Sequence, residues 1–106
     1  MSETHWIPVA QEQRLDVLGT LSDATKHVWV GLHGYGQLVS FFSRHFRSLV
    51  SEERTFVFPQ GPHKFYLNGV NGRVGASWMT KDDRLVDIAN QREYLSSAFR
   101  WIEEKA

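Results

Sequence analysis

The stretch from Val28 to Gln37 has the residue types and the spacing of a backbone turn that binds an anion. A run of strand-forming residues ends at Leu32, and His-Gly-Tyr-Gly and then a helical pattern follow at once, so the two glycines lie where a buried strand turns into a helix. Gly34 and Gly36 have no Cβ and can adopt positive φ, which lets backbone N–H groups approach a ligand closely. The stretch therefore predicts an anion-binding or oxyanion-binding turn.

The composition excludes several classes of function. The 106 residues are 42% apolar and 13% aromatic, which predicts one folded domain over residues 1–106. Twelve basic and twelve acidic side chains cancel without blocks of like charge, which argues against a nucleic-acid partner. With no cysteine, disulfides, thiolate metal sites and cysteine nucleophiles are excluded. The N-terminal sequence is unlike a signal peptide and no apolar run reaches bilayer length, so we expect a cytoplasmic protein with no membrane span.

Hydrophobic periodicity predicts an α/β fold. Trp6 and Pro8, and then Leu15 and Val17, lie at alternate positions with polar residues 11–14 between the two segments, which predicts a lead-in antiparallel hairpin over residues 5–19, with Pro8 at a sheet edge. Two short buried strands are predicted over residues 28–32 and 55–58, with an amphipathic helix over 38–50 between them. A strand-helix-strand unit of this kind makes the two strands parallel.

The second half of the chain predicts a long loop and then a helix. Residues 61–75 carry four glycines and no sustained periodicity, so we expect a surface loop. Thr80 and Asp83 have the spacing of a capping box, and a helix is predicted over 82–104. One stripe of this helix is apolar apart from Arg92, and its members are Leu85, Ile88, Leu95, Phe99 and Ile102.

This order of elements resembles the N-terminal half of an α/β-hydrolase of the phospholipase/carboxylesterase family, in its acyl-protein thioesterase-like branch. That branch has a buried strand, His-Gly-x-Gly, an amphipathic helix, a strand ending in a Pro-x-x-Pro-like turn, an apolar loop with a tryptophan, and a further helix. The match covers nearly the whole chain. It implies a partial α/β-hydrolase fold, with a lead-in antiparallel hairpin, two parallel strands and covering helices, and it implies an ester or thioester substrate and no cofactor.

The resemblance also implies roles for individual residues. The N–H of Tyr35 would supply one half of an oxyanion hole, in a turn formed with Gly34 and Gly36 and held by His33 as a hydrogen-bonded structural residue. Gln37 stands where many members carry an acidic residue. Three side chains would bind substrate, although the first two could instead fill core under the loop: Trp78, Met79 and Tyr66.

The sequence lacks the catalytic residues of the family. The family's next element is a strand that ends in Gly-x-Ser-x-Gly, with the Asp and the His of the triad following it. The nearest approach here places Met79 where the second glycine belongs, and no apolar strand precedes it, so Ser77 is predicted to be a loop residue rather than a nucleophile. None of the five histidines carries over as the base, and their spacing fits no metal site. We therefore assign no catalytic residue and no metal ligand.

Three explanations stay open for a chain with this turn and no nucleophile. The natural protein could be about twice as long, with these residues its N-terminal half. Alternatively, the chain is a half-domain that buries its unpaired sheet edge in a homodimer. In the third explanation it is a non-catalytic module that binds a small acyl or anionic ligand. In every case we expect the chain alone to be inactive as an esterase.

Overall fold

A mixed three-stranded sheet is the centre of the computed structural model, which describes residues 2–69 and 72–106. Its strands are β1 (Leu15–Leu18), β2 (His27–Val30) and β3 (Arg54–Pro59), in the order β1-β3-β2. β2 runs parallel to β3, and β1 runs antiparallel to it. The parallel strand pair is thereby confirmed, and the chain has the character of a small α/β-type domain.

The predicted lead-in hairpin over residues 5–19 is wrong. Residues 2–14 form neither helix nor strand, and β1 pairs with β3 instead of with the segment around Pro8. Pro8 has no N–H to donate to a ladder, whereas β3 offers a longer, almost fully buried strand as partner. The N–H of Gln60 donates to the carbonyl of Arg14 at 2.9 Å and extends this pairing.

The helix predicted over residues 38–50 has the right position but not the right geometry. It consists of α1 (Val39–Phe42) followed by a 3-10 helix (Ser43–Leu49). Serine, histidine and phenylalanine have modest helix propensity, so the packing of this segment on the sheet decides its geometry.

Four phenylalanine rings form the core between this segment and the sheet, and we call them the phenylalanine cluster: Phe42, Phe46, Phe56 and Phe58. Phe58 is fully buried, and its ring centroid lies 5.7 Å from that of Phe42 and 5.3 Å from that of Phe46. Gly31 lets β2 approach this ring, because a Cβ there would lie 2.8 Å from it. The core therefore depends on close contacts around one aromatic side chain.

The predicted loop over residues 61–75 is also wrong, although Val70 and Asn71 within it lie outside the described residues. β4 (His63–Tyr66) and β5 (Val74–Ser77) form an antiparallel hairpin. Ser77, predicted to be a loop residue, is the last residue of β5 and is buried. Glycine and alanine in β5 have low strand propensity, so the pattern hid a strand that exists because of its tertiary contacts.

The last element, α2 (Arg84–Lys105), begins two residues later than predicted and without the expected capping box. Asp83 precedes it in a left-handed conformation with φ of 53°. The hydroxyl of Thr80 donates to the carbonyl of Asp82 at 3.2 Å, and the Thr80 N–H donates to the Asp87 carboxylate at 3.2 Å. The Thr80 side chain thus closes a local turn and does not cap the helix.

The apolar stripe predicted for α2 is only partly buried. Ile102 is buried together with Ala98, whereas Leu85 is 74% exposed and Phe99 is half exposed. Polar and aromatic contacts hold the other side of the helix. The Tyr94 ring stacks on Trp78 with a centroid distance of 6.2 Å, and its hydroxyl donates to the carbonyl of Arg14 at 2.9 Å. No helix of the described residues is both long and apolar enough to cross a membrane.

The chain exposes more surface than a compact domain of its mass. Its accessible surface is 8137 Å², against about 6100 Å² expected for a folded monomer of this size. Its radius of gyration is 16.1 Å, against about 13 Å expected for a compact domain. Large apolar side chains contribute to this exposed surface, among them Trp29, Leu32, Phe41, Leu85 and Phe99.

Truncating Phe58 should be the most damaging change in the sheet layer. We expect Phe58→Ala to lower the free energy of unfolding by about 3 to 5 kcal/mol, since it opens a cavity in the phenylalanine cluster. Phe41→Ala is the matched control, because Phe41 is exposed and has the Arg44 guanidinium over its ring, and it should cost about 1 kcal/mol or less. Urea denaturation measures both variants, and equal losses would contradict this assignment of the core.

Alkaline conditions should loosen α2 through Tyr94. Burial raises the pKa of Tyr94 to about 12, against a smaller opposing effect of the Gln60 backbone N–H. The folded state favours the protonated phenol. The contribution of Tyr94 to stability is therefore fully present below the ordinary pKa of about 10 and is lost as the pH rises from there to about 12. Ultraviolet titration should show one of the three tyrosines ionising late, and Tyr94→Phe should remove that component. Three coincident ionisations near the ordinary value would contradict the docking of α2.

Candidate functional site

The turn that follows β2 lies where three segments of the chain meet. β2 and β3 are parallel, so their carboxyl ends are at the same edge of the sheet. The segment after β3 contributes Gln60 and Gly61, β5 contributes Ala76, and Trp78 follows directly after β5. The contacts between these segments and residues 33–37 fix the shape of the turn.

Residues 34–37 form a type II β-turn. The N–H of Gln37 donates to the carbonyl of Gly34 at 3.2 Å, and Gly36, the third residue of the turn, has a φ of 78°. Of the two glycines predicted to allow positive φ, only Gly36 adopts it. Gly34 instead donates its N–H to the side-chain oxygen of Gln37 at 2.6 Å. Gln37 is therefore a structural member of the turn, a role that the sequence analysis missed.

The backbone N–H of Tyr35 differs from those beside it. The N–H of Gly34 donates to Gln37, and the N–H of Gly36 donates to the carbonyl of Ala76 at 2.8 Å. Within residues 2–69 and 72–106, no protein acceptor takes a hydrogen bond from the N–H of Tyr35. The turn thus holds a free donor between two satisfied ones, at the residue that the resemblance singles out.

His33 is buried, with 3% of its surface exposed, and both of its ring nitrogens are hydrogen-bonded. Its Nδ1 lies 2.7 Å from the carbonyl oxygen of Gly34, and its Nε2 accepts the N–H of Gly61 at 2.8 Å. A carbonyl can only accept and an N–H can only donate, so the ring is the neutral tautomer protonated at Nδ1. Through these two hydrogen bonds, His33 connects the turn to the segment after β3 and holds the turn in place.

β5 supports the turn from the other side through backbone contacts. The N–H of Ala76 donates to the carbonyl of Gln37 at 3.1 Å, in addition to the bond from Gly36 to Ala76. A Cβ on Gly75 would collide with the carbonyl of Gly36, so glycine is required for this approach. The buried Gln60 accepts the N–H of Val39 at 3.3 Å and so fixes the start of α1. A glutamine just after a predicted buried strand was the sequence signal that could have identified Gln60.

The three predicted substrate-binding side chains do not form one cluster. Trp78 donates its indole N–H to the carbonyl of His33 at 3.0 Å, so it lies beside the turn. Met79 is partly buried next to it in sequence. Tyr66 is exposed at the opposite end of the hairpin, next to Phe65, whose ring centroid lies 5.1 Å from that of Tyr35.

Other polar groups and cavities lie away from the turn. The His63 imidazole lies 3.4 Å from the Asp87 carboxylate, between β4 and α2. In the described parts of the chain, no three His, Asp or Glu side chains come together as metal ligands. A groove of about 1150 Å³ runs between residues 7–15 and α2, and Tyr35 does not line it.

Comparison with protein-family models, curated proteins and solved structures finds no match to this chain.

Removing the His33 ring should destabilise the turn. His33→Ala leaves the buried N–H of Gly61 without its acceptor, so we expect a loss of about 1 to 3 kcal/mol in the free energy of unfolding. His45→Ala is the control, because His45 is exposed in the 3-10 helix and should change stability by less than about 0.5 kcal/mol. If the two alanine variants unfold at the same urea concentration, His33 does not hold the turn.

Proposed function

We propose that this chain carries the oxyanion-binding turn of an ester- or thioester-hydrolysing α/β-hydrolase, and that on its own it binds a carboxylate without catalysing hydrolysis. One observation carries the proposal: the free N–H of Tyr35 between the satisfied N–H groups of Gly34 and Gly36. The resemblance to the hydrolase family implies that this same N–H is the oxyanion donor. It is the donor on which hydrolase function would depend.

The chemistry of acyl transfer gives this N–H a defined task. When a nucleophile attacks an ester or thioester, the carbonyl oxygen becomes an oxyanion, and a fixed donor at about 2.7 to 3.1 Å stabilises it. Such a donor contributes on the order of 10²- to 10³-fold in rate. It acts best when it does not have to reorganise, and bonds from Gln37, Ala76 and His33 hold this turn in place.

The proposal limits what these residues do alone. Ester hydrolysis by this mechanism needs a serine activated by a histidine, and in the described part of the chain no serine hydroxyl is hydrogen-bonded to a histidine. In the family the second oxyanion donor follows the nucleophilic serine, and residues 1–106 contain no Gly-x-Ser-x-Gly motif. A carboxylate carries the same charged oxygen as the reaction's oxyanion and is the ligand we expect this turn to bind.

In a second candidate function the turn binds an acyl anion that is never hydrolysed, so the turn has no catalytic role. The exposure of the Tyr35 side chain, which is 74% accessible and packs on Phe65, favours it, since a ligand can reach the turn directly from solvent. Both functions use the same N–H. They differ in whether a nucleophile ever reaches the bound group.

Replacing Tyr35 by proline should remove the ligand site without disrupting the turn. Tyr35 is the second residue of a type II turn, a position that proline favours, so Tyr35→Pro deletes only the N–H and the side chain. Tyr35→Ala deletes the side chain and keeps the N–H. In NMR titrations with butyrate, we expect the wild type and Tyr35→Ala to show saturable shifts around the turn, and Tyr35→Pro to bind at least about tenfold more weakly.

Two results would contradict the proposal. Equal butyrate affinity of the proline and alanine variants would show that the N–H is not the donor. Turnover of p-nitrophenyl acetate by the purified chain, with covalent labelling by a fluorophosphonate, would show that these residues contain a nucleophile after all.

A further inference from the structure

β2 is an edge strand, and its outer backbone groups are free. The N–H of His27 donates to the carbonyl of Glu53 at 2.8 Å and the N–H of Gly31 donates to the carbonyl of Val57 at 2.9 Å, so His27, Trp29 and Gly31 direct their backbone groups toward β3. Val28 and Val30, which alternate with them, direct theirs outward. Among residues 2–69 and 72–106, no backbone or side-chain group pairs with this outer side.

The edge also lacks the features that usually protect an edge strand from pairing. It contains no proline and no charged residue. Lys26, which directly precedes β2 in sequence, has its ammonium group 3.1 Å from the carboxylate of Glu53 and is thereby paired. Trp29 stacks on Phe56 of the phenylalanine cluster at a centroid distance of 6.4 Å and is still 58% exposed. The exposed Trp29 side chain and the unpaired backbone groups therefore lie on the same strand.

We propose that this edge pairs with β2 of a second copy of the chain, antiparallel and about a two-fold axis at Trp29. In this register Val28 exchanges both backbone hydrogen bonds with Val30 of the partner subunit, and Val30 does the same with the partner's Val28. Trp29 then lies opposite Trp29 of the partner subunit as a non-hydrogen-bonded pair, with Cα atoms about 4.5 Å apart. The two three-stranded sheets become one six-stranded sheet.

The geometry of the edge selects a second copy as the partner. The outward groups lie at positions 28 and 30, symmetric about residue 29, so the edge is complementary to itself. A shift by one residue would place inward-directed groups opposite outward-directed ones and break the ladder. No like charges meet near the axis, and two tryptophans cover each other's exposed rings.

The chain as a whole exposes more surface than an association of this size would bury. The chain exposes about 2000 Å² more than a compact monomer of its mass, whereas a standard interface buries about 800 Å² per partner. The proposal rests on the β2 edge alone and not on the anion-binding turn, so either one can fail without the other.

Val28→Pro tests the pairing directly. Proline removes an outward N–H and leaves the bonds to β3 intact, which an edge strand tolerates. The matched control is Val17→Pro on β1, the opposite edge of the sheet. The bond from Gln60 to the carbonyl of Arg14 shows that residues 14, 16 and 18 face β3, so Val17 also directs its N–H outward.

Sedimentation equilibrium of the full chain, at concentrations from about 1 to 100 µM, measures the association. We expect the wild type and Val17→Pro to dimerise with a dissociation constant below about 10 µM, and Val28→Pro to raise that constant at least about tenfold. Trp29→Lys is a second variant that places two positive charges opposite each other, and it should weaken the dimer similarly. Circular dichroism checks that each variant is folded.

Several outcomes would overturn the proposal. A wild type that stays monomeric at the highest concentration would mean that the edge does not pair with a second copy. Equal weakening by Val28→Pro and Val17→Pro, or no effect of Trp29→Lys, would place the association on another surface. Association beyond the dimer would show that the contact is not a closed two-fold one.

Discussion

Two backbone hydrogen bonds between the turn after β2 and the end of β5 determine how this structure is arranged. They join Gly36 to Ala76 and Ala76 to Gln37, and they tie the sheet to the hairpin at the point where the chain enters α1. A Cβ at position 75 would collide with the carbonyl of Gly36, which explains the glycine there, and the positive φ of 78° explains the glycine at position 36. With Gly36 and Gln37 used in this way and Gly34 bonded within the turn, the Tyr35 N–H is left as a donor for something outside the chain.

The rest of the site supports that arrangement. The His33 ring bridges the turn to the segment after β3, and Trp78 donates to the carbonyl of His33 from the other side. Each bond satisfies a group that would be costly to leave buried and alone. The proposed function rests on the one free N–H among these satisfied groups. The proposed dimer rests on a similar difference in β2, whose backbone groups are paired on the side that faces β3 and unpaired on the outer side.

Three features could be predicted because each depends on a local pattern of apolar residues and glycines. They are the strand before the turn, the parallel strand pair and the location of the turn. The hairpin of β4 and β5 could not be predicted in this way. Its second strand contains Gly75 and Ala76, which are poor strand formers and are held by partners distant in sequence. The prediction of which face of α2 is buried was partly wrong for a related reason. Tyr94 and Trp78 position that helix through stacking and a hydrogen bond, and an apolar stripe does not report such contacts.

Amide hydrogen exchange along residues 33–37, measured by NMR with and without butyrate, would show whether the Tyr35 N–H is a free donor that binds a carboxylate. We predict that the amides of Gly34 and Gly36 are protected in the free protein, that the amide of Tyr35 exchanges fast, and that butyrate slows the exchange of Tyr35 selectively. A Tyr35 amide that is already protected without ligand, or one that butyrate leaves unchanged, would contradict it.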